Sequence, residues 1–210
     1  MKKQKFALFN TFKTKSNDLT GEAQRERAIV TILATQNKPD TTRRKISQII
    51  AGDNSWQNVY SGIYHDLDEV LIPQGLVEEG GRLPLKRGPK AMQEHGVSYY
   101  KLTLDGMIVA LSLRELKDKS SLLKKIFKVS KSEYDEILLL IAKNMPNLIS
   151  IMFEEYVKEY FAGKFKKLSP LDFNSMDMAQ NSIFQICKEI IKGCSDMSNE
   201  DRHKLSRMLN

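Results

Sequence analysis

Apolar residues in the middle of the chain recur at helical spacing and are followed by two segments that resemble strands. Positions four, four and three residues apart share one face of a helix: Val59, Ile63, Leu67 and Val70. The pattern predicts a helix of about four turns that is capped by Ser55 and ends near Leu71. An extended segment opens at residue 76, and residues 97–103 have the β-branched and aromatic content of its partner strand.

Two further helices are predicted before this unit. Residues 20–35 carry enough apolar side chains to form a scaffold helix, and the break at residues 37–40 separates it from the next one. Thr41 or Asp40 is the expected N-cap of that second helix. Its isoleucines are expected to point inward: Ile46, Ile49 and Ile50. The lysine-rich residues 1–19 form either an arm that follows a phosphate backbone, a segment that packs its aromatic side chains on the domain, or a frayed solubilising tail.

After the second strand only helices are predicted. The helix that starts at Thr103 and runs to Leu116 is apolar almost all round, so it must be buried on two sides. One side packs on the preceding elements, and the other on the C-terminal half or on another subunit. Residues 117–120 read as a short joint, and an amphipathic helix over residues 148–161 ends at Gly163. The predicted fold is mainly α with a small β wing, divided into residues 1–19, 20–118 and 119–210.

Length and composition set limits on the kind of protein. With 210 residues, 41% of them hydrophobic, the chain can bury one large core or two small ones. No apolar run reaches the length of a membrane span, and the N-terminal apolar stretch is too short for a signal peptide, so we expect a cytoplasmic protein. Cys187 and Cys194 lie about 10 Å apart along one predicted helix, too far for a mutual disulfide. We expect them to be reduced core residues, with an intermolecular or redox-sensing role as the alternative.

Charge is distributed unevenly along the chain, although the formal total is +7. Residues 20–113 hold eleven basic and eleven acidic residues, but the positive ones gather at Lys38–Lys45 and Arg82–Lys90. The acidic residues of the same region are expected to fall elsewhere: Asp66, Asp68, Glu69, Glu78 and Glu79. Such separation of sign would orient the protein on a polyanion, since phosphate neutralisation supplies most non-specific affinity for DNA. The alternative is that the basic loops are merely solvated.

A resemblance to a known family rests on the strand region. Three consecutive features form this region: the run Gly75-Leu76-Val77, a basic loop rich in Gly and Pro, and the run Tyr99-Tyr100-Lys101-Leu102-Thr103-Leu104-Asp105-Gly106. Together they resemble winged helix-turn-helix transcription regulators of the bacterial and archaeal kind. The resemblance covers roughly residues 20 to 116. The wing is longer than usual, and the segment between Leu67 and Gly75 carries about one extra residue. The resemblance implies a winged helix that binds DNA. For the helical residues 119–210 we expect a role in self-association or effector sensing.

Candidate DNA contacts follow from this arrangement. The start of the second helix would hold phosphates, with Arg87-Gly88-Pro89-Lys90 in the wing poised to enter a minor groove. On the third helix, Gln57, Asn58 and Ser61 are expected to read base edges, while Tyr64 and His65 reach phosphate. Trp56 is expected in the core. The full set of predicted DNA-binding residues is Thr41, Arg43, Arg44, Lys45, Gln57, Asn58, Ser61, Tyr64, His65, Arg82, Lys86, Arg87 and Lys90.

Other functional classes find less support in the sequence. No glycine-rich phosphate loop, nucleophile elbow or recognisable pair of carboxylates is present, so we expect no enzymatic activity and no cofactor. His65, His95 and His203 have no cysteines near them, which argues against a metal site. We therefore expect a sequence-specific regulator that binds double-stranded DNA as a homodimer, with a small-molecule or protein effector as a possible ligand of the C-terminal half. The alternatives are an architectural or replication-associated DNA-binding protein with little sequence preference, and a protein-interaction module.

Overall fold

The computed structural model describes residues 7–12, 18–36, 40–84, 96–129, 135–164 and 166–171, with a few positions beyond them. The described chain is mainly helical and contains one two-stranded antiparallel sheet. Within these residues no helix combines the length and apolar character needed to cross a membrane. The expectations for Lys86, Arg87 and Lys90, and for Cys187 and Cys194, lie outside the described residues.

The N-terminal segment packs on the rest of the protein. Ala7 and Leu8 are buried, and Thr11 forms an isolated antiparallel bridge with Leu19. Of the alternatives for this segment, packing on the domain describes residues 7–12 in part: Phe9 packs against the core, whereas Phe12 is 51% exposed. The first helix, α1, covers Gly21–Thr35 and is capped by Thr20, whose side chain accepts a hydrogen bond from the Ala23 amide.

Helix α2 covers Arg43–Ala51, and its N-cap is Thr42 rather than the predicted Thr41 or Asp40. The side chain of Thr42 accepts a hydrogen bond from the Lys45 amide. The carbonyl of Thr41 accepts a hydrogen bond from the Tyr100 amide, so the backbone before the helix is held in an extended form. The prediction that Ile49 points inward is wrong, because its side chain is 45% exposed.

Helix α3 covers Gln57–His65 and continues directly into a π-helical turn at Asp66–Leu71. Trp56 is the N-cap position and makes no capping hydrogen bond, so the predicted Ser55 cap is wrong; the hydroxyl of Ser55 donates instead to the Gln57 side-chain oxygen. In the π turn the amide of Ile72 donates to the carbonyl five residues earlier. A π turn takes up one more residue than an α turn, and the sequence carries such a surplus between Leu67 and Gly75.

The two strands form the predicted hairpin. Strand β1 covers Val77–Leu83 and pairs antiparallel with β2, Val97–Leu102. The register shifts between Glu79 and Gly81, which leaves Gly80 as the extra residue of a β-bulge. The ring of Tyr99 packs over this glycine so closely that an added Cβ would lie 2.2 Å from Cε2 of the ring.

The hairpin is joined to the next helix by a close backbone contact. Helix α4 covers Leu104–Leu111 and is shorter than predicted, since the chain turns at Ser112. Its N-cap, Thr103, accepts from the Gly106 amide and donates its hydroxyl to the carbonyl of Gly75. A Cβ at Gly106 would lie 1.9 Å from the carbonyl oxygen of Leu76, so only glycine fits this first turn.

Both sides of α4 are buried, as its apolar surface predicts. It packs against α1 and β2 on one side and against the C-terminal helices on the other, so the C-terminal half supplies the second contact. The C-terminal helices are α5 at Lys119–Phe127, α6 at Asp135–Asn144 and α7 at Pro146–Phe161, and α4 packs against α5 and α7. One apolar core extends from the N-terminal segment to residue 171. The domain boundary at residue 118 stays a prediction.

The segment at residues 117–120 belongs to a helix start rather than to a joint. Asp118 is the N-cap of α5 and accepts from the Ser121 amide. Lys119 is buried, and its ammonium donates to the Leu113 carbonyl. Burial lowers the pKa of Lys119 to about 8. The first turn of α5 is therefore held to the segment that follows α4 by the buried side chain of Lys119.

Replacement of Gly106 by alanine should destabilise the protein. The added methyl group must push the first turn of α4 away from Leu76, and overpacking of this kind costs about 1–3 kcal/mol. Urea unfolding followed by circular dichroism would measure the loss. Gly21→Ala is the matched control, because an added Cβ there meets nothing within 4 Å and should leave stability unchanged or slightly higher. Equal stabilities for the two variants would contradict the contact.

Candidate nucleic-acid interface

Helix α3 divides into an apolar and a polar face as the sequence predicts. Ile63 and, in the π turn, Val70 are buried. Tyr64 is the largest side chain on the opposite face and is 48% exposed. The candidate base-reading and phosphate-contacting residues of this helix are all exposed: Gln57, Asn58, Ser61, Tyr64 and His65. The face is therefore accessible to a ligand along its whole length.

Trp56 lies at the junction of α2 and α3 and stays partly exposed, so it is not the core residue that the sequence predicted. Its ring packs edge to face on Tyr60, with centroids 5.5 Å apart. The guanidinium of Arg44 lies 5.3 Å from the centre of the Trp56 ring. The missing side-chain cap at the start of α3 explains the difference, because Trp56 occupies the cap position itself and packs along the surface of the turn.

Arg43, the first residue of α2, is tied to the π turn. Its Nη2 lies 2.6 and 2.8 Å from the two carboxylate oxygens of Asp68. The guanidinium also lies 4.7 Å from the ring centre of Tyr64 and 5.3 Å from that of Tyr100. Burial, the largest single cause, lowers the pKa of Arg43, but the hydrogen bonds to Asp68 and the charges of Tyr100, Asp68 and Tyr60 together outweigh it, so the pKa is raised. The side chain is a charged link between α2, α3 and β2.

The remaining candidates at the start of α2 differ in accessibility. Arg44 is exposed, whereas Lys45 forms an ion pair with Asp40 at 2.8 Å. Thr41 is only 1% exposed, because its backbone pairs with β2, and this burial removes its side chain from the surface where the sequence placed it. In the hairpin, Arg82 is exposed on β1 opposite Ser98.

The expected separation of positive and negative charge fails at one point. Asp68 was expected to lie away from the basic residues, but it contacts Arg43. Asp68 lies four residues after Tyr64, so ordinary helical spacing already places both side chains on the face that Arg43 contacts.

A second group of charges lies where α1 meets the end of α3. Asp66 is fully buried, and both of its oxygens accept from Arg25, at 2.9 and 3.3 Å. Arg25 can lie flat on α3 because residue 62 is glycine; a Cβ there would be 2.9 Å from its Nε. Sequence analysis missed this pair, since its members are 41 residues apart. The signal that could have found it is the single glycine inside α3.

The same group brings together three possible metal ligands. Atoms of Glu22, His65 and Asp66 lie within 4.8 Å of one another, an arrangement that a search for histidine and cysteine clusters could not reveal. Arg25 already compensates the charge of Asp66, and His65 Nδ1 lies 2.9 Å from Glu69. Asp66 and His65, two of the three possible ligands, are therefore already engaged with Arg25 and Glu69.

Glu26, one turn further along α1, is fully buried. Burial and, to smaller extents, the charges of Asp66 and Glu22 raise its pKa from 4.5 to about 8, although the backbone of Ala7 and the charge of Arg25 act in the opposite direction. The side chain is therefore mostly protonated at neutral pH. A neutral carboxylic acid avoids placing a further negative charge beside Asp66 and Glu22.

No family model, curated protein or solved structure matches the chain. The function of this surface is therefore argued from the geometry and chemistry of its own residues.

The Glu26 carboxyl should make the stability of the protein depend on pH. Its pKa is higher in the folded state than in the unfolded state, so its stabilising contribution is complete below about pH 4.5 and is lost as the pH rises to about 8. The loss amounts to at most about 5 kcal/mol. Glu26→Gln cannot ionise, so the variant should gain stability relative to the parent across this range. Urea titrations at pH 5, 7 and 9 would measure the gain, and a constant difference at all three would contradict a protonated Glu26.

Proposed function

We propose that the protein is a winged-helix transcription regulator that binds double-stranded DNA with sequence preference. The observation that carries this proposal is the polar, fully accessible face of α3 beside the start of α2 and the β1–β2 hairpin. An α-helix fits the major groove of DNA, where each base pair presents a distinct set of hydrogen-bonding groups. In this arrangement α3 is the recognition helix and the hairpin is the wing.

Residues of the α3 face match the chemistry of base edges. Gln57 and Asn58 occupy the first turn, which is the part of a recognition helix that enters the groove. Carboxamide side chains can pair with adenine through two hydrogen bonds, and Ser61, one turn further, can contact several bases. Such contacts distinguish sequences, whereas cations on phosphate only position the protein.

Positive charge next to this face would hold the phosphate backbone. Arg44 is exposed at the start of α2, where backbone amides also attract anions. Arg82 extends from the wing, whose loop contributes three more cations in the sequence: Lys86, Arg87 and Lys90. The wing and the start of α2 would contact phosphates on either side of the groove that α3 enters.

We propose that the protein acts as a homodimer. One short recognition helix contacts few base pairs, and a two-fold axis doubles the site. The C-terminal helices would then serve self-association or the sensing of a small-molecule or protein effector.

Selection of a randomised duplex pool on the purified protein at about 150 mM salt tests the proposal, because screening suppresses loose electrostatic contacts. An enriched motif with two inverted half-sites is the expected result. Retention without a motif would favour architectural or replication-associated binding. Absence of retention would contradict DNA binding and favour a protein-interaction module.

Two substitutions separate base reading from phosphate contact. Asn58→Ala should change the selected motif at one position, with a loss of about 1–3 kcal/mol for the preferred base. Arg44→Gln should weaken binding to all sequences alike and reduce the salt dependence by about one phosphate contact. Asn147→Ala, at an exposed position on α7, is the control for asparagine loss. An unchanged motif with Asn58→Ala would show that α3 does not read bases at this position.

A further inference from the structure

The ion pair between Arg43 and Asp68 places a carboxylate on the surface proposed to meet DNA. Asp68 lies one helical turn after Tyr64, which belongs to the exposed face of α3, and Arg43 touches both residues. The side chains of Arg43 and Asp68 remain 27% and 23% exposed, so solvent reaches the pair. A ligand that approaches α3 and the start of α2 would meet this pair at their junction.

The hydrogen bonds of Arg43 are only partly used. Both oxygens of Asp68 contact the same nitrogen, Nη2, while Nε is buried without a partner in the described part of the chain. A guanidinium binds a phosphate most strongly through two parallel N–H groups. Because Asp68 engages only one nitrogen, it holds Arg43 in a weaker geometry than a phosphate that reaches both terminal nitrogens can offer.

We propose that Asp68 acts as an internal competitor for DNA phosphate, holding Arg43 in the free protein and releasing it to the backbone when duplex DNA binds. The inference rests on the proposed function and adds a mechanism that limits DNA binding at the same site. In the free protein the carboxylate cancels the positive charge of Arg43. On DNA, a phosphate oxygen takes its place, and the two tyrosine rings keep the guanidinium at the junction of α2 and α3.

Removal of the competing charge tests the idea directly. Asp68→Asn should bind duplex DNA about fivefold more tightly at about 150 mM salt, with a salt dependence steeper by about one phosphate contact. Fluorescence anisotropy with a labelled duplex at several salt concentrations would measure both quantities. The probe is a 30-base-pair duplex of random sequence, so that no motif needs to be known.

Glu79→Gln is the matched control for the general effect of deleting a negative charge. The side chain of Glu79 is exposed on β1 and has no ion-pair or hydrogen-bond partner among the described residues, yet its charge acts on Tyr100, which Arg43 also contacts. Its loss should tighten binding less than Asp68→Asn and leave the number of phosphate contacts unchanged. Equal gains for the two variants would overturn the proposal.

A double variant identifies the released group. Arg43→Gln combined with Asp68→Asn should abolish the gain, because the proposal attributes it to Arg43; a gain that persists would overturn the proposal. Thermal unfolding shows whether each variant is folded. If Asp68→Asn does not fold, the unaltered protein provides the test by NMR. The side-chain nitrogen resonance of Arg43 should shift when duplex DNA is added. An unchanged resonance would contradict the release of Arg43 from Asp68.

The two proposals fail in different ways. If the unaltered protein binds duplex and Asp68→Asn binds no more tightly than Glu79→Gln, only the competitor is wrong. If Asp68→Asn binds duplex DNA under conditions in which the unaltered protein does not, the result supports the proposal that Asp68 competes with DNA phosphate for Arg43. If neither binds at low salt, DNA binding itself is wrong, and the competitor with it.

Discussion

The contact between the first turn of α4 and the backbone of Leu76 fixes the arrangement of the other elements. It requires residue 106 to lack a side chain, and Thr103 completes it by bonding to Gly75 and to the Gly106 amide. The hairpin cannot then rotate relative to α4, which is itself enclosed by α1, β2 and the C-terminal helices. A sheet of only two strands is marginal on its own, so the hairpin takes its stability from this attachment.

Charge pairs rather than apolar contacts alone fix α3. The helix is short, and its π turn sends one aspartate toward α1 and another toward α2, where Arg25 and Arg43 receive them. Removing one member of the buried Arg25–Asp66 pair would leave an uncompensated charge, which is costly in the interior. Burial and the charge of Asp66 raise the pKa of Glu26, which favours the neutral form of this second carboxyl beside the pair. The position and orientation of the polar face of α3 therefore depend on charges at both ends of the π turn.

Regular periodicity predicted the elements better than their ends. The exposed and buried faces of α3, the hairpin and the helix ended by Gly163 followed from spacing and from strong chain breaks. Caps were harder: Thr42 rather than Thr41 caps α2 because the backbone of Thr41 pairs with β2, a contact between residues 59 positions apart. Pairs that join distant segments, such as Arg25 with Asp66, leave almost no trace in a single sequence. The function of the surface stays a prediction.

Two of the three cations at the start of α2 are paired with aspartates, and this pairing bears on the proposed mode of DNA binding. Arg43 and Lys45 are each paired with an aspartate, whereas Arg44 has no carboxylate partner among the described residues. Non-specific affinity grows with the number of uncompensated cations that release counterions from DNA. A regulator must find its site among a vast excess of other sequences, so the ratio of specific to non-specific affinity matters more than affinity itself. Under the proposed function, a surface that neutralises its own cations while leaving Gln57 and Asn58 exposed would lower non-specific affinity for DNA and retain base contacts, as a sequence-reading protein needs.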